Sequence, residues 1–197
     1  MRAKLSILLM CITAFTLAGC NNSRQIESAS IIENVAVDEK DGQLVYTFYL
    51  LTSDERPWGI SVHANSFEEA SELAKEQYIP NLSLAKLELL MINEKIYSDV
   101  MQRDVEYIST QPSFSPIAYV TLCDSGTIKA FAETNRTQML IENQLRMLKN
   151  NNPEVNINYL SIFNNYANKD EDEFTVPYVS SKNELKVSEF KITKQNK

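Results

Sequence analysis

Leu84-Ala85-Lys86-Leu87-Glu88-Leu89-Leu90-Met91-Ile92-Asn93 carries four consecutive large apolar residues, Leu89 to Ile92, between two stretches of helical period. A short apolar run bounded in this way reads as a strand covered on both faces, so Leu84 to Asn93 is expected to be an inner strand. Ahead of it, Ser66-Phe67-Glu68-Glu69 has the Ser-x-x-Glu spacing of a capping box, in which hydroxyl and carboxylate each satisfy a free backbone N–H. Phe67, Ala70, Leu73, Ala74 and Tyr78 then recur at three- and four-residue steps, which predicts a helix over 67–78. Behind it, Ile96, Tyr97, Val100, Met101 and Ile108 put an apolar face on a helix over 94–109, with Asp104 on that same face. A buried strand between two amphipathic helices needs a sheet with helices laid on it.

The rest of the chain extends this pattern. Ile31 to Asp38 and Leu44 to Thr52 are β-rich runs around Glu39-Lys40-Asp41-Gly42-Gln43, and Asp-Gly between two such runs signals a hairpin. Asp54 to Asn65, with Pro57 and Gly59, reads as irregular. Pro112 and Pro116 bracket a loop leading to a strand at 117–123. Thr134 to Lys149 reads as a helix with Leu140, Gln144 and Leu148 along its apolar stripe, ended by Asn150-Asn151-Asn152-Pro153. Ile157 to Asn168, with Leu160, Ile162, Phe163 and Tyr166, reads as another helix. Lys169 to Glu173 is a charged loop, and Phe174–Ser180 with Leu185–Thr193 form a closing hairpin around Ser181-Lys182-Asn183. The expected fold is α+β or α/β: one domain with a mixed β-sheet and helices packed on it.

The N-terminus carries a different kind of signal. Met1-Arg2-Ala3-Lys4 is followed by an apolar run from Leu5 to Thr16 and by Leu17-Ala18-Gly19-Cys20. Cations, a short apolar stretch and small residues are the layout of a bacterial secretory signal, and the run is too short to span a membrane. Leu-Ala-Gly-Cys resembles a lipobox, in which the cysteine is lipidated and becomes the first mature residue. The sequence therefore divides into a signal peptide over 1–19, a polar lipidated tether over 20–30 and a folded domain over 31–197. The expected location is the extracytoplasmic face of a membrane, held by a diacylglyceryl group on Cys20.

The formal charge is −7 with 44% hydrophobic residues, enough for a core. Loss of Arg2 and Lys4 with the signal makes the mature chain more acidic, which disfavours nucleic acid and anionic headgroups as partners. Attachment then rests on the lipid alone. With Cys11 removed and Cys20 acylated, Cys123 is left without a disulfide partner. It follows Ile117-Ala118-Tyr119-Val120-Thr121-Leu122 and reads as a buried small hydrophobe.

Catalytic motifs are missing. The sequence has no Gly-x-Gly-x-x-Gly, no Walker loop, no Gly-x-Ser-x-Gly, no His-Glu-x-x-His and no Cys-x-x-Cys. Its four glycines, at 19, 42, 59 and 126, are too scattered to build a phosphate loop, and the single histidine, His63, makes no ordinary zinc site. Cys123 with His63 is the one nucleophile–base pair available, and burial of the thiol argues against it. Trp58, beside Pro57 and Gly59, is either an exposed recognition residue on a loop or a plug on the core. Asp170-Glu171-Asp172-Glu173 lacks the spacing of an EF-hand and reads as a solvated loop. No catalytic residue, cofactor or metal is expected; the one residue given a chemical role is Cys20.

Several stretches resemble the Ger(x)C family, the lipoprotein C subunits of nutrient germinant receptors in spore-forming bacteria. Cys20 is followed by Arg24, Ile26 and Glu27, which fit a segment conserved behind the family's lipobox, with Asn21 and Asn22 in place of its Trp-Asp pair. Val35-Ala36-Val37-Asp38 matches a strand ending in Asp, with Ala36 for a usual glycine. The helix from Ser66, the strand running into Glu94 (with Ala85 for an expected histidine) and the prolines before Tyr119-Val120 are similar too. Val176-Pro177 and Leu185 to Phe190 resemble the segment joining the family's first domain to the next. The resemblance implies an N-terminal germination-protein domain, without the family's C-terminal domains. It implies a non-enzymatic subunit in the spore inner membrane, whose partners are a polytopic membrane protein and the other receptor subunits. The alternative is a generic extracytoplasmic lipoprotein that binds a small ligand with the Trp58 loop at its pocket.

Overall fold

In the computed structural model, residues 29–50, 57–111, 114–167, 173–181 and 184–193 are described. The signal, Cys20, the tether up to Ser28, Asp170 to Asp172 and the turn at 182–183 lie outside these residues.

The first hairpin forms as its turn chemistry requires. Strands β1 (Ser30–Lys40) and β2 (Gln43–Leu50) pair antiparallel with Lys40 opposite Gln43, so the loop is Asp41-Gly42 alone. Both turn residues have positive φ, 55° and 77°, the geometry of a tight turn whose twist matches the strands it joins. Glu33 is a bulge in β1: Ile32 faces Leu50 and Asn34 faces Tyr49.

Beyond β2 the structure departs from the expectation of an irregular stretch. Trp58–His63 is a strand, β3, paired along β2 from Leu50 opposite Trp58 to Val45 opposite His63. Pro57 just precedes the strand, and Gly59 is accommodated because β3 is an edge strand. Helix α1 (Phe67–Gln77) follows, and half of its capping box forms: the Ser66 hydroxyl accepts from the Glu69 N–H at 3.1 Å. The Glu69 carboxylate instead reaches one residue further back and accepts from the Asn65 N–H at 2.7 Å.

The apolar run is β5 (Leu89–Asn93), every residue of it buried. It is shorter than the expected strand over 84–93: β4 (Leu82–Ser83) pairs with the start of β1, and residues 84–88 turn between the two. Then come α2 (Tyr97–Thr110), β6 (Tyr119–Cys123), α3 (Ser125–Glu133), α4 (Asn135–Asn151), α5 (Tyr159–Ala167), β7 (Glu173–Ser180) and β8 (Lys186–Thr193). The sequence pattern predicts no element at α3, whose Ser-Gly-Thr opening is poor helix material. It forms because the Asp124 carboxylate accepts from the Thr127 N–H at 2.7 Å and because Ile128 and Phe131 are buried.

The sheet runs β3-β2-β1-β5-β6-β7-β8, with parallel pairing from β1 through β7 and antiparallel pairing at both ends. Period-2 alternation feeds two apolar clusters. Val35, Val37, Leu90, Ile92 and Leu122 join the cluster that contains Phe67 and Ala70 of α1, Val100 of α2 and Ile162 of α5. Ala36, Leu89, Met91 and Cys123 join the other, with Ile128 and Phe131 of α3 and Ile141 and Leu145 of α4. The fold is one α+β domain, a mixed sheet covered on both faces. On α4 the buried stripe is Gln138, Ile141 and Leu145, so the expected stripe through Leu140 is displaced by one residue and Leu140 is exposed. Likewise Leu160 of α5 is 50% exposed, while Ile162 is fully buried.

Candidate functional site

In a parallel sheet the residues just past the strands' carboxyl ends line the crevice where ligands bind. Here that end of the sheet carries Asp38, one residue beyond the last β1–β5 parallel pair at Val37 and Ile92, Asn93 as the last residue of β5, and Asp124 and Ser125 after the end of β6. Asp38, Asn93 and Ser125 form a closed hydrogen-bonded node, while Asp124 caps α3. Asn93 Nδ2 donates to Asp38 Oδ1 at 2.6 Å and to Ser125 Oγ at 2.9 Å, and Ser125 Oγ donates to the same Asp38 oxygen at 2.9 Å. The Glu39 N–H adds a donor to Asp38 at 2.8 Å, and Asn93 Oδ1 accepts from the Lys95 N–H at 3.0 Å. Asn93 is buried, so leaving its amide unpaired would be costly; this node ties β1, β5 and the start of α3 together.

A cavity of about 380 Å³ opens beside the node, lined by Asp38, Tyr49, Gly59, Ser61, Ser125 and Lys129 among others. Gly59 makes room for the Tyr49 ring: a Cβ there would lie 2.9 Å from two ring carbons. That ring packs edge-on against Phe131 at 5.0 Å, and burial, followed by the nearby Cys123 and Asp38, pushes its hydroxyl up to about 12. The cavity offers one carboxylate, one ammonium and several hydroxyls, which suits a small polar molecule.

The structure separates the residues that sequence reasoning weighed for chemistry. Cys123 is fully buried, and burial, then Asp38, Asp124 and Glu94, raises its thiol well above the ordinary value. Its Sγ lies 3.8 Å from the Ile92 carbonyl oxygen. His63 sits on β3, four strand positions from β6, and at about 4.8 Å per strand the two are roughly 19 Å apart. They cannot act as nucleophile and base. Trp58 is neither on a loop nor a plug: it begins edge strand β3 and is 59% exposed. Its neighbours Pro57 and Gly59 line the cavity, and Trp58 itself does not. Of the acidic run only Glu173 is described, and it pairs with Lys191 across the β7–β8 hairpin. Cys20 lies outside the described residues. Among the described residues no three His, Cys, Asp or Glu side chains group to hold a metal, and no helix is long and apolar enough to cross a membrane.

The sequence reading missed Asn93 and Ser125 as a unit. The signal was present, polar residues directly after apolar runs, but it becomes a site only when β1, β5 and β6 are known to lie side by side.

An α+β domain with a polar crevice and no catalytic constellation among its described residues is thus the class the geometry defines. A family model described as the spore germination protein N-terminal domain matches residues 22–181, and the chain belongs to that family. It therefore has a role in spore germination. No curated protein and no solved structure matches the chain.

Proposed function

We propose that this protein is a membrane-anchored, non-enzymatic subunit of a spore germinant-receptor-like complex, held on the extracytoplasmic face by a lipid on Cys20. Membership of the germination-protein family carries the reading. Leu17-Ala18-Gly19-Cys20 supports the anchor, and an anchor raises the local concentration of the domain for partners in the same membrane. Edge strand β8 is where a polytopic membrane protein or a sister subunit would add a strand, since its outer backbone groups have no strand partner among the described residues.

Replacing Cys20 by Ala tests the whole. The variant is expected to take up no labelled fatty acid, to leave the membrane fraction and to abolish nutrient-triggered germination in spores that carry it as their sole copy. Normal germination by an unacylated chain would overturn the proposal. The cavity beside Asp38 favours a second reading, capture of a small polar ligand. A ligand-induced thermal shift that survives in Asp38→Asn and Lys129→Met would remove it.

A further inference from the structure

The net charge of −7 conceals a segregation that only the fold makes visible. On the face of the sheet covered by α1 and α2, the exposed charged residues are Glu68, Glu72, Glu76, Asp99 and Glu106 against Lys75 and Arg103. On the opposite face, α3 and α4 expose Lys129, Arg136 and Arg146 against Glu133 alone. An acidic layer and a basic layer thus flank one sheet.

The basic layer also carries exposed apolar side chains in register. Along α4, Arg136, Met139, Leu140, Asn143, Arg146, Met147 and Asn150 recur at three- and four-residue steps and all face out. Met139 is 64%, Leu140 42% and Met147 62% exposed, whereas among the described residues the α1–α2 face exposes only two separate large apolar side chains, Tyr78 capping α1 and Leu160 of α5. Beyond α4 the patch continues to Ile117, 75% exposed, beside a cavity of about 490 Å³ in which Lys86 and Arg146 offset the carboxylates of Glu88 and Glu142. The carboxylate of α4 itself, Glu142, is half-buried, receives a hydrogen bond from Gln138 at 3.0 Å, and is raised by burial and then by Glu88. Large apolar side chains flanked by cations on one helical face, in an otherwise acidic molecule, match the chemistry of an anionic bilayer surface.

The position of the chain start agrees. Glu33, three residues into β1, lies beside Gln138 of α4, so the chain enters the domain next to this helix. Ten residues from Cys20 to Ser30 reach at most about 35 Å when extended, which keeps an acylated Cys20 within range of the α4 face.

We infer that the outer face of α4, through Arg136, Met139, Leu140, Arg146 and Met147, lies against an anionic phospholipid surface and sets the domain's orientation on the membrane. The α1–α2 layer then points away, its carboxylates repelled by the same surface. This deepens the anchor reading of the proposed function, and its test separates the two.

The lipidated full chain is bound to vesicles of phosphatidylcholine alone or mixed with phosphatidylglycerol, and hydrogen exchange is followed by mass spectrometry. Residues 135–151 should gain protection only with phosphatidylglycerol, and lose it in high salt, which shortens the range of the attraction. A cation held at an anionic surface strengthens attachment about fivefold, so Arg136→Glu with Arg146→Glu should weaken the phosphatidylglycerol-dependent binding at least about 25-fold. Both side chains are exposed, so the variant keeps its fold, checked by an unchanged melting temperature. If the chain fails to bind pure phosphatidylcholine, the anchor reading falls, while phosphatidylglycerol-dependent protection of α4 still upholds this one. Equal protection on both lipids, or protection of α1 and α2 instead, overturns it. So does protection of α4 without vesicles that grows with protein concentration, which would make the occupant a second copy, or protection that needs added membrane proteins.

Discussion

Removing the Asp104 carboxylate should be among the most damaging single changes in this domain. Asp104 is on the apolar face of α2, 1% exposed, and each of its oxygens has a distinct donor. Oδ2 accepts from the Tyr46 hydroxyl at 2.8 Å, and Oδ1 accepts from the Phe67 N–H at 3.0 Å. The second donor is the first N–H of α1, which has no partner within its own helix. One carboxylate therefore clamps α2, β2 and the start of α1 around the Phe67 ring, which itself meets Tyr46 and Phe48 edge-on at 5.9 Å. Asp104→Ala leaves two buried donors without acceptors, each costing about 1–3 kcal/mol, so a loss of about 4 kcal/mol is expected. That is a large part of the roughly 5–15 kcal/mol that holds a domain together, and it should lower the urea midpoint by about 2 M.

The double variant isolates the cause. Tyr46→Phe alone keeps the ring and should cost about 1 kcal/mol; in the Asp104→Ala background it should cost nothing or stabilise, because it removes an orphaned hydroxyl. The pH dependence has a definite sign. Burial raises the Asp104 carboxyl above its ordinary 3.8, opposed by the Phe67 N–H, the Tyr46 hydroxyl and Arg103 in that order. The folded state thus holds this proton more tightly than the unfolded chain does. The resulting stability is fully present below 3.8 and is lost as pH rises through the folded value. Asp104→Asn, which cannot ionise, should therefore gain on the parent as pH climbs from about 4 to 7. An Asp104→Ala loss under about 1 kcal/mol, or a Tyr46→Phe cost equal in both backgrounds, would refute the clamp.

Two further outcomes follow from packing. Gly59→Ala drives a Cβ to 2.9 Å from the Tyr49 ring and 3.0 Å from Thr47 Cγ2, which should cost about 1–3 kcal/mol and lower the melting temperature by several degrees; an unchanged melt would mean that the ring yields freely. Cys123, buried with a raised thiol, should resist iodoacetamide in the native state and react only as the domain unfolds in urea, whereas fast native labelling would show an accessible thiolate.

The legibility of this chain varied with the range of the forces involved. Asp41-Gly42 was readable because a two-residue turn with positive φ is a local demand that few residue pairs meet. Leu89 to Ile92 was readable because complete burial leaves an uninterrupted apolar run. Strand β3 was not: an edge strand buries little, so Trp58 to His63 lacks the pattern and is held as a strand by pairing with β2. The orientation of α4 was missed by one residue because Leu140 and Ile141 are adjacent and equally apolar, and only contact with the sheet chooses Ile141. Asp104 was visible as an anomaly on an apolar face, but its two partners lie 37 and 58 residues away in sequence.

By itself the sequence determined most of the helices and the inner strands, the first and last hairpins, the burial of Cys123 and the lack of catalytic motifs. These rest on periodicity and local backbone chemistry, which neighbouring residues carry. The tertiary structure alone decided the order of strands, and with it the meeting of Asp38, Asn93 and Ser125 at the carboxyl ends of the sheet. It also decided that an acidic chain presents one basic face, because net charge is a sum over residues while a surface is set by which helix covers which side of the sheet.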